Sequence, residues 1–132
     1  MEDNSRVFAF IRQKGFELID EERSGSFGDY YKIFSNNSAE IRFSSSRNFE
    51  SIDIRSVHDR EKFYDMALVK AMMYDDKRLN RPTAISELIT FLEDEIDAIL
   101  LLFNEINCNG TRDQLNELGR IRASQMFPWM PK

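Results

Sequence analysis

The sequence carries one histidine, His58, and one cysteine, Cys108. Nucleophilic catalysis needs a base held beside the nucleophile, and that base is most often histidine. His58 falls in a charged stretch and Cys108 in a turn beside asparagines. Chance placement accounts for both better than a Cys–His pair does. A lone cysteine forbids an intramolecular disulfide and any CxxC redox or zinc pair. With no HExxH and no second histidine, a zinc site would have to lean on carboxylates. The expectation is therefore no catalytic residue, no metal and no cofactor. An enzyme working through an Asp/Glu pair is the one catalytic alternative, motivated by the abundance of acids alone.

Carboxylates are the chemistry this sequence has in quantity. Glu93, Asp94, Glu95 and Asp97 cluster, but without the glycine and alternate spacing of a calcium loop. They read either as a solvated helix face or as an acidic patch for a basic partner. Asp75-Asp76 extends the second reading. Gly25 and Gly28 fall in a hairpin turn between strands, whereas a phosphate cradle needs glycines leading from a strand into a helix. Phe27, Tyr30, Tyr31, Phe34 and Phe43 superficially suit base stacking, but the RNA-binding pattern that uses them is absent. Packing under helices is their expected role. A net charge of −5, from 23 acidic and 18 basic residues, disfavours nucleic acid and anionic membranes as partners. It suits a basic protein partner, because complementary charge speeds encounter.

The elements that must position these groups follow from hydrophobic period. Asp3, Asn4 or Ser5 caps a first helix of about three turns, with Val7, Phe8, Phe10 and Ile11 on its apolar side and Gly15 ending it. The period then shortens to two. Strands are expected over 16–22, 27–35, 39–44 and 49–57, joined by turns at Ser24-Gly25-Ser26, Asn36-Asn37 and 45–48. Turns this short make an antiparallel meander with one apolar face and one charged face.

Residues 58–62 read as a charged linker and 63–76 as a helix. The longest helix is expected to start at Pro82, with Thr83 as N-cap. Its stripe runs through Ile85, Leu88, Ile89, Leu92, Ile96, Ile99, Phe103 and Ile106 to a stop at Asn109-Gly110. Leu101 and Leu102 add apolar surface beside that stripe. Thr111 and Gln114 form a capping box for a last helix carrying Leu115, Leu118 and Ile121, stopped by Pro128. The tail from Met126 to Met130, with Trp129, is either a docked closure of the core or an exposed anchor.

Helix, four strands, then three helices predicts one α+β domain over residues 1–132, with the helices packed on one sheet face. Residues 1–15 lack an apolar stretch, so no secretory signal is expected. No apolar run approaches the ~20 residues of a membrane span. A cytoplasmic protein is expected.

Five stretches together carry a family resemblance: GFELIDEE (15–22), DYYKIF (29–34), AEIRFSSSRNFESIDIRS (39–56), FYDMALVKAMMYDD (63–76) and RIRASQMFP (120–128). They resemble small bacterial immunity proteins, the antidotes of contact-dependent growth inhibition and other polymorphic toxin systems. The resemblance implies a cytoplasmic protein that binds a cognate toxin domain and blocks its active site. Many such toxins are basic nucleases, which an acidic antidote complements. No family residue set transfers along these stretches. On the chain's own charge pattern, the expected contact residues are Glu93, Asp94, Asp97, Asp75 and Asp76, with Tyr30 and Trp129 as aromatic anchors. A different expectation is a non-catalytic regulatory or scaffold subunit that pairs through the long helix, as monomer or dimer.

Overall fold

The computed structural model describes residues 4–24, 29–47 and 49–129. The expectations placed on Asp3, on Gly25 to Gly28 with Phe27, on Asn48 and on Met130 lie outside those residues.

Helix α1 (Ser5–Gln13) buries Val7 and Ile11, one turn apart on a single face. Asn4 holds the N-cap position without a side-chain cap bond. The helix ends because Gly15 turns left-handed, at φ +87°. The amide of Gly15 donates to the Arg12 carbonyl (3.1 Å) and that of Phe16 to the Ile11 carbonyl (3.1 Å). That pair of bonds satisfies the last carbonyls and seats buried Phe16 against the core.

The sheet follows as β1 (Glu17–Ser24), β2 (Asp29–Ser35), β3 (Ala39–Ser46), β4 (Phe49–Ser56) and β5 (Asp59–Asp65). Every neighbour is antiparallel, in the order β1-β2-β3-β4-β5. Asn36 makes the β2–β3 turn, its Oδ1 accepting from the amides of Ser38 and Ala39. Pairings of Phe34 with Ile41, Ile41 with Ile54 and Phe43 with Ile52 put an apolar ladder under the helices. Ile41, Ile52 and Ile54 are fully buried, each contributing roughly 1.5–3 kcal/mol. Phe8 of α1 closes an aromatic trio, with ring centroids 5.2 Å from Phe34 and 5.0 Å from Phe43.

The sheet has five strands, not four. Residues 58–62 are not a linker, and the helix expected from Phe63 starts three residues later. The Val57-His58 turn is only two residues long and lacks the glycine or asparagine that usually marks such turns. It is held instead by Ser56, whose Oγ accepts from the His58 amide (3.0 Å). β5 is an edge strand with no buried residue, exposed at Arg60, Glu61 and Lys62, so its composition is polar. A bulge between Leu18 and Asp20 interrupts the opposite edge, β1.

Three helices complete the chain: α2 (Met66–Tyr74), α3 (Ile85–Leu102) and α4 (Cys108–Met126). Asp65 caps α2 by accepting from the Ala67 amide, and Asp75 ends it in the left-handed conformation. Ala84, not Thr83, holds the N-cap position of α3. α3 stops at Leu102, well before Asn109-Gly110, because its terminal carbonyls are met from outside. Asn107 Nδ2 donates to Leu101 (2.9 Å), Thr111 Oγ1 to Leu102 (2.6 Å) and Ser56 Oγ to Phe103 (2.6 Å). Thr111 therefore caps the preceding helix and makes no capping box with Gln114. Ile106 leaves the stripe and is exposed in the α3–α4 turn. The coarse expectation holds: an α+β chain, with the core between one sheet face and the helices. Among the described residues, no helix is long and apolar enough to cross a membrane.

Two glycines test this account with opposite signs. Gly15→Ala meets no atom within 4 Å but must hold φ +87°, so a loss of about 1 kcal/mol in urea unfolding is expected. Gly119→Ala, inside α4 with Leu68 Cδ1 at 4.0 Å, should instead gain up to about 1 kcal/mol.

Candidate functional site

The acidic residues are sorted by the packing of α3 between α1 and α2. Glu93 is turned into an ion pair with Arg6 of α1 (3.1 Å) and its side chain is only 15% exposed. Asp97, one turn on, stays 84% exposed and has Lys14 at 3.8 Å. Asp94 is exposed and Glu95 half-buried. Helical dihedrals break at Glu95 (φ −118°, ψ 15°), so the acidic segment sits on a kink.

α2 brings a tyrosine to that kink. Tyr74 packs its ring edgewise on Phe91 (5.5 Å between centroids), with the Lys70 ammonium 5.3 Å from the ring centre. Its hydroxyl is pushed above its ordinary pKa by partial desolvation, then by the charges of Glu95 and Asp94. Half of the tyrosine remains exposed. Asp75, next in the chain, is exposed and ion-paired with Lys77 (2.9 Å). Asp76 accepts from the Arg78 amide (3.0 Å) and lies 3.6 Å from Arg81. That amide and then the Arg81 guanidinium pull its carboxyl below the usual range. The structure thus brings Asp94 and Glu95 to Tyr74, with Asp75 next to it in the chain at the end of α2 and Asp97 further along α3.

Tyr30 and Trp129 belong to other neighbourhoods. The Tyr30 hydroxyl accepts from Asn4 Nδ2 (3.1 Å) beneath the start of α1. Trp129 is 75% exposed and stands edgewise on Phe127, 5.7 Å away. Tyr74 itself was missed from sequence, and the signal was its place directly before Asp75-Asp76.

The sheet face away from the helices is a second charged surface. Cross-strand partners pair there: Arg42 with Asp53 (2.9 Å) and Arg55 with Glu40 (2.8 Å). Arg60 adds a second guanidinium to Glu40 at 2.7 Å. Phe63 lies between Arg42 and Arg55, 4.3 and 4.2 Å from the two guanidinium carbons. Asp53 and Asp65 face each other across β4 and β5, and Asp65 takes Arg122 at 2.8 Å. This is a cross-strand carboxylate pair of the kind a hydrolytic reading needs, and both members are held by arginines.

Cys108 is not in a helix-ending turn but opens α4. It is buried, its thiol donating to the Glu105 carbonyl (3.7 Å), while His58 is exposed. Among the described residues, no three His, Cys, Asp or Glu side chains gather as metal ligands. Most of the apolar stripe of α3 is taken up by the core: Leu88, Phe91, Leu92, Ile96 and Ile99 are buried, whereas Leu101 is exposed. Comparison with protein-family models, curated proteins and solved structures returns no match.

Asp53 gives a pH test of the sheet surface. Desolvation raises its carboxyl above the ordinary 3.8 and outweighs the lowering by Arg42. The folded state therefore holds this proton more tightly than the unfolded chain. Its contribution to stability is present in acid and fades as pH rises from 3.8 through the raised midpoint. Arg42→Gln should raise that midpoint further in an NMR titration of Asp53, and Asp53→Asn should remove the corresponding slope from the stability–pH curve.

Proposed function

We propose that this chain is an immunity-type protein, cytoplasmic in a bacterium, that binds and neutralises a cognate toxin domain by occupying its active site. It acts as a binding protein and assigns no catalytic role to any of its residues. The observation that carries the reading is the exposed Tyr74 on the α2–α3 face, under the charges of Asp94 and Glu95 and followed in the chain by exposed Asp75. An aromatic anchor among carboxylates complements a basic cleft, and tyrosine is favoured at binding hot spots. The resemblance of five sequence stretches to bacterial immunity proteins points the same way. A basic nuclease is the toxin class this charge suits best, with RNA or DNA excluded from its cleft by bulk and by like charge.

Affinity purification from the native host, followed by an inhibition assay, tests the reading. The expected result is a stoichiometric basic domain whose toxic activity stops when the purified chain is added. A co-purifying protein without toxic activity, or one whose activity continues in the complex, overturns it. Against such a partner, Asp94→Lys with Asp97→Lys should slow association about 10-fold at low salt. Tyr74→Ala should raise the dissociation rate, at a cost of about 2 kcal/mol or more.

A further inference from the structure

A groove of about 720 Å³ runs beside the acidic face, within the ~300–1,000 Å³ typical of ligand sites. One wall is the start of β4, the other is α2, and the connecting segment 78–83 lies along it with Met126 at one end. Gln125 of α4 pins that segment, accepting from the Leu79 amide and donating to the Lys77 carbonyl, both at 2.8 Å. Leu68, Leu79 and Leu88 make its buried apolar lining. Phe49, 76% exposed, stands at its side.

Most charges in the groove are matched. Asp65 holds Arg122, Asp76 holds Arg81, and Lys70 lies over Tyr74. Arg78 and Glu87 line it too and stand exposed to water, whereas Glu50 is neither matched nor fully solvated. Its Oε2 is shielded from solvent and has no hydrogen-bond partner among the described residues, although the residue is only partly buried. An unpartnered buried carboxylate oxygen is costly, more so than a neutral group. The nearby cations do not relieve it, since Arg122 is engaged by Asp65 and Arg78 is exposed. The terminal torsion of glutamate is broad and roughly two-fold, so a turn about it exchanges the two oxygens at low cost.

We propose that the groove receives a lysine or arginine side chain of a protein partner. Its charged head pairs with Glu50, and its methylene stem lies along Leu68, Leu79 and Met126. A long basic side chain fits because it joins an apolar stem to a cationic head. The group shielded from water without a partner is negative, which selects a cation over an anion. This rests on the chain being a protein-binding module, but on neither the acidic face nor the identity of the toxin.

The test is an NMR titration of the intact chain with n-butylguanidinium, using n-butanol as the uncharged control. The expected result is saturable shifts of the Leu68, Leu79 and Leu88 methyls with the cation and none with the alcohol. Glu50→Gln should weaken the response at least ~10-fold, and Glu50→Ser serves if the first variant does not fold. Shifts that are absent, or equal in the variant, or equal with butanol, overturn the proposal. A partner that lacks toxic activity would overturn the antidote reading and leave this result standing.

Discussion

The register of β3 on β4 is the constraint on which the rest of the molecule hangs. Ile41 and Phe43 face Ile54 and Ile52 on one side of that pair, while Glu40 and Arg42 face Arg55 and Asp53 on the other. A slip of one residue would exchange the two sets, putting charges under the helices and isoleucines into water. Both faces therefore vote for the same alignment. Glu40 sharpens that preference: its side chain is only 2% exposed and keeps two guanidinium groups. Removing either cation would leave a buried charge short of a partner, which costs far more than an exposed pair is worth.

The same face fastens β5. Phe63 is clasped between Arg42 and Arg55, and Arg60 reaches Glu40. Because α2 starts directly after β5, with Asp65 as its cap, the sheet's polar face sets where α2 points. α2 in turn carries Tyr74 to the acidic kink of α3 on one side and lines the groove that holds Glu50 on the other. Ion pairs on the open face, each modest alone, thereby position surfaces on the opposite side of the core.

Sequence patterning reaches much of this. Gly15 ends α1, Asn36 turns β2 into β3, and strict alternation in β3 and β4 marks both their faces. It fails at β5, which is polar because it lies at an edge, and whose turn is closed by Ser56 rather than by glycine or asparagine. It fails again at the α3–α4 boundary. The apolar stripe continues to Ile106, but the helix ends where Asn107, Thr111 and Ser56 meet its carbonyls, and Ser56 is 47 residues from Phe103. The site divides the same way. The acidic run is plain in the sequence, but the neutralisation of Glu93 by Arg6 is not, since the two lie 87 positions apart. Glu50 looks like one more surface acid until the fold closes over its oxygen.

The bulge between Leu18 and Asp20 has a consequence for how the molecule behaves in concentrated solution. β1 is an open edge whose backbone groups invite another strand to add on. Its exposed acids Asp20, Glu21 and Glu22, alternating between the two faces, repel the same residues on a neighbouring molecule, and the bulge bends the edge away from the straight template that stacking needs. A sheet finished in this way resists growing edge to edge into fibrils, so the chain can stay dispersed at concentrations where a bare, straight edge would stack.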